Sequence, residues 1–217
     1  VGHPQWDYLV SRNLQDYKDY FLYWPDKHRL IILNTIEAPS PERRYSEAGD
    51  YFETHPHVIG FQARGLGNHS VKYITYTLEK LRGELHLDYK PKPGTEDYIK
   101  QLSQVFFSTH VNWNSNVLIT EGPIDALFLP NSISISGATK KYEKLDINWK
   151  CQYIFDNDKT GKDKIREKIT GYPNKQVYNW NKLLKQIGNE DIKDINDVVN
   201  YCKSNNIDVP KFEDYFL

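Results

Sequence analysis

Acidic side chains in three short segments of the chain could do chemistry together. These residues are Glu121, Asp125, Asp156, Asp158 and Asp197. Two negative charges about 4 Å apart repel by roughly 4 kcal/mol at an effective dielectric of about 20, so a fold keeps such a cluster when a carboxyl is protonated or a cation binds. Oxygen ligands without nearby His or Cys favour Mg²⁺ or Mn²⁺. Such an ion supports phosphoryl transfer, because it activates an attacking oxygen and neutralises charge that develops on phosphorus.

Each acidic segment also has an ordinary structural interpretation. Acidic residues in loops commonly serve as turns and helix caps. Asp194, which precedes Ile195-Asn196-Asp197, is best interpreted as the N-cap of a helix. The functional interpretation therefore depends on the three segments occurring together in one fold.

The second half of the chain alternates predicted strands with predicted helices. The strands are expected at 117–120, 132–135, 151–155 and 176–180, and the helices at 123–129, 139–145, 161–169 and after Asp194. This alternation predicts a mostly parallel, Rossmann-like sheet. The acidic segments follow its first, third and fourth strands. Because polar groups at the carboxyl ends of such strands converge on one crevice, we expect the acidic residues to lie close together.

The first half of the chain has a mixed α+β pattern. Apolar residues from Trp6 to Phe21 keep a helical spacing, which predicts one helix ending before Pro25. Strands are expected at 30–33, 58–61 and 72–76. All seven His and six of the seven Arg lie before residue 115. We therefore expect an N-terminal α+β subdomain over 1–115 and a second domain over 116–217.

Composition excludes several classes of protein. Of the 217 residues, 39% are hydrophobic and 26% charged, which excludes a wholly disordered chain. No apolar run approaches the roughly 20 residues of a membrane span, so we expect no membrane association. Two Cys exclude a disulfide scaffold and a four-cysteine zinc site, and a cytoplasmic location is expected. The net charge of −1 neither indicates nor excludes a nucleic-acid partner.

Three acidic motifs resemble the signature of the Toprim family. They are Val117-Leu-Ile-Thr-Glu-Gly-Pro-Ile-Asp-Ala126, Phe155-Asp-Asn-Asp158 and Lys193-Asp-Ile-Asn-Asp197. Segments of the first half are similar to the region preceding Toprim in bacterial-type replicative primases. These segments are His28-Arg29-Leu-Ile-Ile32, Ile59-Gly-Phe-Gln-Ala-Arg64 and Lys72-Tyr-Ile-Thr75. The residues of the acidic motifs are most similar to those of primases from large tailed phages. The resemblance covers roughly residues 28 to 200.

The resemblance implies roles for individual residues. It implies that Glu121, Asp156 and Asp158 hold Mg²⁺ or Mn²⁺ and act in catalysis. It further implies that Asp125 supports the catalytic residues and that Asp197 contributes to the metal site. On the same basis, the residues that contact nucleotide phosphates or template are Arg64, Lys72 and, with a weaker match, Arg29. Guanidinium and ammonium groups suit phosphate oxygens.

The function implied is that of a DNA primase catalytic core, a DNA-directed RNA polymerase that makes short RNA primers on single-stranded DNA. The implied partners are that template, ribonucleoside triphosphates and a replicative helicase bound through regions outside this chain, in an infected bacterial cell if the source is a phage. The chain contains no Met, so we expect a piece of a longer protein. Two alternatives stay open: a Toprim nuclease in which water is the nucleophile, and a non-catalytic scaffold that binds single-stranded DNA or a helicase.

Overall fold

The chain forms two compact units, Val1–His110 and Val111–Leu217. The computed structural model describes residues 2–35, 58–77, 105–136, 151–159, 161, 163 and 178–216. The first unit contains an antiparallel sheet and the second a parallel sheet of three strands. The predicted fold class, an α+β part followed by a mostly parallel α/β part, is confirmed at this level. No described helix is long and apolar enough to cross a membrane.

Four antiparallel strands form the sheet of the first unit. They are β1 (Phe21–Trp24), β2 (Arg29–Thr35), β3 (Val58–Gly65) and β4 (Tyr73–Thr77), paired in that order. Every residue of β2 is buried, because this strand lies inside the sheet and both of its faces are covered. The three strands predicted for this part are present, and each is extended beyond the predicted segment or shifted slightly along it.

The single helix predicted from Trp6 to Phe21 is wrong beyond its first two turns. Helix α1 spans Pro4–Ser11, a 3₁₀ helix spans Gln15–Tyr20, and β1 follows at once. Asn13 has a left-handed backbone (φ 55°), which an α-helix does not accommodate. The aromatic run from Phe21 to Trp24 then pairs with β2, since aromatic side chains suit a half-buried strand.

Strands β5 (Val117–Thr120), β6 (Ser132–Ser134) and β7 (Cys151–Ile154) form the second sheet, with β5 in the centre. The helices of this unit are α2 (Pro123–Leu127), α3 (Trp180–Ile187) and α4 (Ile195–Ser204), followed by a 3₁₀ helix at Phe212–Tyr215. The predicted helix at 139–145, and most of the one at 161–169, lie outside the described residues.

The strand predicted at 176–180 is not formed where the structure describes it. Tyr178 makes one isolated antiparallel bridge with Phe216, and Trp180 already begins α3. Asn179 caps that helix, because its side-chain oxygen accepts a hydrogen bond from the Lys182 N–H at 3.1 Å. The aromatic residues that suggested a strand therefore belong to a bridge and a helix start.

An apolar core joins α3, α4 and the C-terminal 3₁₀ helix to the strands of the second unit. Its buried members are Leu118, Leu129, Ile154, Tyr178, Trp180, Leu183, Leu184, Ile187, Ile192, Ile195, Val198, Val199, Cys202, Phe212 and Tyr215. The Trp180 indole N–H donates a buried hydrogen bond to the Phe155 carbonyl at 2.9 Å. This bond fixes the start of α3 against the residue that immediately precedes Asp156.

We expect Trp180→Phe to lower the free energy of unfolding by about 1–3 kcal/mol, because a buried carbonyl loses its donor and a small cavity is left. Urea unfolding followed by circular dichroism measures the change. The matched control is Trp6→Phe, since Trp6 is 44% exposed and should change stability by less than about 0.5 kcal/mol. Equal losses in the two variants would contradict this packing.

Candidate functional site

Glu121 lies immediately after β5, in a turn that two hydroxyl groups hold in place. The Thr120 hydroxyl donates to the Gly122 carbonyl at 2.9 Å, and the Ser134 hydroxyl donates to the Glu121 carbonyl at 3.0 Å. Both hydroxyl-bearing side chains are buried. Glu121 therefore projects from a turn whose backbone is fixed on two sides.

Asp156 is two residues beyond the end of β7, the strand that pairs in parallel with β5. Thr120 lies opposite Ile154 in that pairing, so the two strands end at the same edge of the sheet. The Asp156 N–H donates a hydrogen bond to Glu121 Oε1 at 3.2 Å. The structure thus brings the first two acidic motifs into direct contact.

The loop that carries Asp158 turns back on itself at Gly161. The Gly161 N–H donates to Asp158 Oδ1 at 2.7 Å. A Cβ atom at Gly161 would lie 2.1 Å from the Asp156 carbonyl oxygen and 3.0 Å from Glu121 Oε1. Only glycine allows this close approach. The residue types of the sequence do not indicate this role of Gly161, because only the backbone path shows that the position has no room for a side chain.

The remaining acidic residues connect α2 to the start of α4. Asp125 Oδ1 accepts a hydrogen bond from the Asn196 N–H at 3.1 Å. Asp194 Oδ1 accepts from the Asp197 N–H at 2.7 Å and caps α4, which confirms the predicted N-cap. Asp197 lies in the first turn of α4. Acidic residues of the first and third motifs therefore meet as well.

Burial and electrostatic repulsion raise the pKa values of two carboxyl groups in this cluster. Burial, followed by the negative charges of Glu121 and Asp194, raises the pKa of Asp156 to about 7. Burial and the charge of Asp194 also raise the pKa of Asp125 well above its usual range, although the N–H of Asn196 opposes the shift. Asp125 and Asp156 therefore hold their protons more tightly than isolated carboxylates do.

Asn157 binds the loop between Asp156 and Asp158 to the segment that precedes α4. Its N–H donates to the Lys193 carbonyl at 2.6 Å, and its side-chain Nδ2 donates to the Ile192 carbonyl at 3.1 Å. In the sequence, Asn157 lies between the two aspartates of the Phe155-Asp-Asn-Asp158 motif. The contacts link two acidic segments that are 35 residues apart.

The carboxylate oxygens of the acidic residues suit a hard divalent cation, but their side chains are not arranged as a complete metal site. In the part of the chain that the structure describes, no three His, Cys, Asp or Glu residues are arranged to hold a metal ion. All the clustered donors are carboxylates, and their mutual repulsion is the kind that a divalent cation relieves. The residues therefore fit Mg²⁺ or Mn²⁺ by chemistry, and binding requires their side chains to turn toward a common point.

Two of the three basic residues predicted to contact nucleotide, Arg64 and Lys72, form an aromatic–cation group with tyrosine rings in the first unit. The Arg64 guanidinium lies 5.0 Å from the ring centres of both Tyr8 and Tyr73, and it donates a hydrogen bond to the Tyr73 hydroxyl. The Lys72 ammonium is 5.4 Å from the Tyr73 ring centre. Cation–π contacts of this kind hold a cationic group in a defined position.

Arg29 is placed differently from the other two basic residues. It is buried, and its guanidinium donates to the Ala63 carbonyl at 3.3 Å and to the Val71 carbonyl at 3.0 Å. These bonds connect β2 with β3 and with the segment that leads into β4. Arg29 therefore contributes to the local structure beside Arg64 and Lys72.

No protein-family model and no curated protein matches the chain. Among solved structures, the Aquifex aeolicus primase (zinc-binding and RNA polymerase domains) is similar at 16% identity and a TM-score of 0.42, over 84% of this chain and 45% of that one. The DnaG catalytic core is similar at 15% identity and a TM-score of 0.39, over 85% of this chain and 56% of that one. The chain thus spans about half the length of these structures. A likeness of this extent assigns neither activity nor substrate.

We expect Asp156→Asn to stabilise the metal-free protein at pH 8. The raised pKa of Asp156 means that its contribution to stability is present below the usual value of 3.8 and is lost as the pH rises to about 7. A neutral amide does not ionise, so the variant avoids this loss of stability. We expect its free energy of unfolding to be higher by roughly 1–2 kcal/mol and its melting temperature by about 2–8 °C. Thermal melts in EDTA at pH 8 and at pH 5 measure the effect, which should shrink at pH 5.

The control for this measurement is Asp208→Asn, which neutralises an exposed carboxylate after α4. Its melting temperature should follow that of the parent protein at both pH values. A destabilised Asp156→Asn variant at pH 8 would show that the carboxylates do not repel one another as the geometry indicates.

Proposed function

We propose that this chain is the RNA-polymerase core of a Toprim-containing DNA primase, of the kind found in large tailed phages. The observation that carries the proposal is the contact between Glu121 Oε1 and the Asp156 N–H at 3.2 Å. That contact joins the Glu-Gly-x-x-Asp and Asp-x-Asp motifs, on which the Toprim resemblance rests. The raised pKa of the partly buried Asp156 supports the same proposal, since a bound divalent cation would stabilise its ionised form.

In this proposal Glu121, Asp156 and Asp158 hold Mg²⁺ or Mn²⁺. When bound, the ion supplies charge neutralisation at the triphosphate and a lowered pKa for the attacking 3′-hydroxyl. Asp197 contributes a further oxygen at the start of α4. Asp125 holds the N-terminus of α4 through Asn196 and so keeps Asp197 in place.

The chain's own cations bind the phosphates of the incoming nucleotide. Arg64, held between two tyrosine rings, presents a planar guanidinium that suits two phosphate oxygens at once. Lys72 adds a second positive charge from the start of β4. Orientation of the triphosphate by these groups lowers the entropic part of the barrier.

The proposed substrates are ribonucleoside triphosphates, and the proposed template is single-stranded DNA. A replicative helicase is the expected partner, through regions outside this chain. The proposed setting is the cytoplasm of an infected bacterial cell.

We expect Asp156→Ala to abolish primer synthesis while the protein stays folded. The assay measures incorporation of labelled ribonucleotides on random single-stranded templates with Mg²⁺ or Mn²⁺, and it is repeated with the helicase present. Loss of one metal ligand should lower the rate by at least about 100-fold. The matched control, Asp208→Ala, should retain parental activity. Parental activity in Asp156→Ala would refute the proposed mechanism.

The same reactions separate the alternative functions. Metal-dependent cleavage of DNA without incorporation of nucleotides would identify a nuclease that uses these carboxylates with water. If neither reaction occurs and calorimetry detects no Mg²⁺ or Mn²⁺ binding in the presence of nucleotide, the chain is a scaffold for DNA or helicase, and the primase proposal is wrong.

We expect Arg64→Ala to raise the KM for ribonucleoside triphosphate by about 10-fold or more, because a charge-assisted contact to phosphate contributes roughly 1.5–3 kcal/mol. Steady-state incorporation at varied nucleotide concentration measures this change. Arg12→Ala removes a guanidinium from the end of α1 and serves as the control. A KM that changes equally in both variants would exclude a specific role for Arg64.

A further inference from the structure

We propose that Asn157 is a positioning residue. It fixes the loop of Asp156 and Asp158 against the segment before α4, and thereby sets how carboxylates from two segments face a common cation. This inference rests on the proposed function for its metal-binding part. Asn157 supplies neither a charge nor a nucleophile. Its position between two aspartates in the sequence therefore does not indicate a positioning role.

The hydrogen bonds of Asn157 carry the first step. Its backbone N–H and its side-chain Nδ2 both donate to consecutive carbonyls, those of Lys193 at 2.6 Å and Ile192 at 3.1 Å. Two bonds to neighbouring carbonyls fix both the position and the orientation of the loop. A residue without a side-chain donor, such as Ala, would keep only the backbone bond.

The second step follows from what lies on each side of this connection. Asp156 directly precedes Asn157, and its N–H contacts Glu121. Ile192 and Lys193 directly precede Asp194, whose side chain caps α4 by accepting a hydrogen bond from the Asp197 N–H. Asn157 therefore connects the loop that carries Asp156 and Asp158 to the segment that leads into α4.

The side-chain oxygen of Asn157 provides an independent observation. Nδ2 is directed to the Ile192 carbonyl, so the amide orientation is fixed, and Oδ1 is buried without a hydrogen-bond partner in the described part of the chain. A buried acceptor without a donor is unfavourable. A water molecule held at the neighbouring carboxylates would satisfy it. The orphaned oxygen thus favours a hydrated ion beside the loop.

The test compares Asn157→Ala with the parent protein by two measurements. Without metal, amide hydrogen exchange in peptides covering 156–159 and 192–198 should accelerate by about 10-fold, since the two segments lose one of the bonds between them. Titration of Mn²⁺ followed by electron paramagnetic resonance should show a Kd raised by roughly 10-fold or more, as is usual when a residue that orients metal ligands is removed.

Two further variants make the result decisive. Asn205→Ala also removes a hydrogen bond from a side-chain amide to a backbone carbonyl (that of Tyr201, 2.8 Å), but at the far end of α4. Its exchange rates and its Kd for Mn²⁺ should stay within about twofold of the parental values. Asn157→Asp keeps the shape of the side chain without its donor, and should accelerate exchange as Asn157→Ala does. It preserves the exchange test if the alanine variant does not fold.

The outcomes distinguish this inference from the proposed function. Parental exchange and parental Mn²⁺ affinity in folded Asn157→Ala would overturn the positioning role and leave the primase proposal standing. Absence of Mn²⁺ and Mg²⁺ binding in the parent protein would overturn the proposed function and the metal-binding part of this inference. Accelerated exchange would still establish the connection between the two segments.

Discussion

Repulsion between carboxylates at one edge of the parallel sheet is the constraint that the second unit must satisfy. Because β5 and β7 end at the same edge, Glu121 and Asp156 are forced close together. The backbone offsets part of this cost, since one main-chain N–H donates to each of four carboxylates. The donor and acceptor residues are Asp156 to Glu121, Gly161 to Asp158, Asn196 to Asp125 and Asp197 to Asp194. Burial, together with the negative charges of Glu121 and Asp194, still raises the pKa of Asp156.

Two kinds of residue therefore have different roles in this cluster. The carboxylates supply ligands, and uncharged residues hold the segments that carry them. Thr120 and Ser134 fix the turn of Glu121, while Asn157 fixes the loop of Asp156. In the first unit the same division applies, because tyrosine rings hold the guanidinium of Arg64. A divalent cation completes the arrangement in the proposed function.

Strands β2 to β7 and the acidic turns could be predicted from the sequence, because both depend on short local patterns. The apolar runs of β2 and β5 and the N-cap at Asp194 are examples. The long helix and the strand at 176–180 were wrong for tertiary reasons. The run from Phe21 to Trp24 pairs with β2, whereas Tyr178 forms one isolated bridge, with Phe216, among the residues that the structure describes. A local pattern of residue types cannot show whether a neighbouring strand is available for pairing.

The acidic residues of the site were identifiable by type, and the residues that hold them were not. Gly161 is required by the space between Asp156 and Glu121, and Asn157 acts through carbonyl groups 35 residues away. Both roles follow from the path of the backbone. The Asn196 N–H that binds Asp125 is likewise a main-chain group, whose place no side-chain pattern specifies.

A crystal structure of the protein soaked in Mn²⁺, with anomalous diffraction data, tests the central claim most directly. The account predicts a manganese peak bonded directly to carboxylate oxygens of both Glu121 and Asp156, since oxygen ligands suit this ion. A fully occupied peak elsewhere, or none at these two residues at millimolar Mn²⁺, would contradict it.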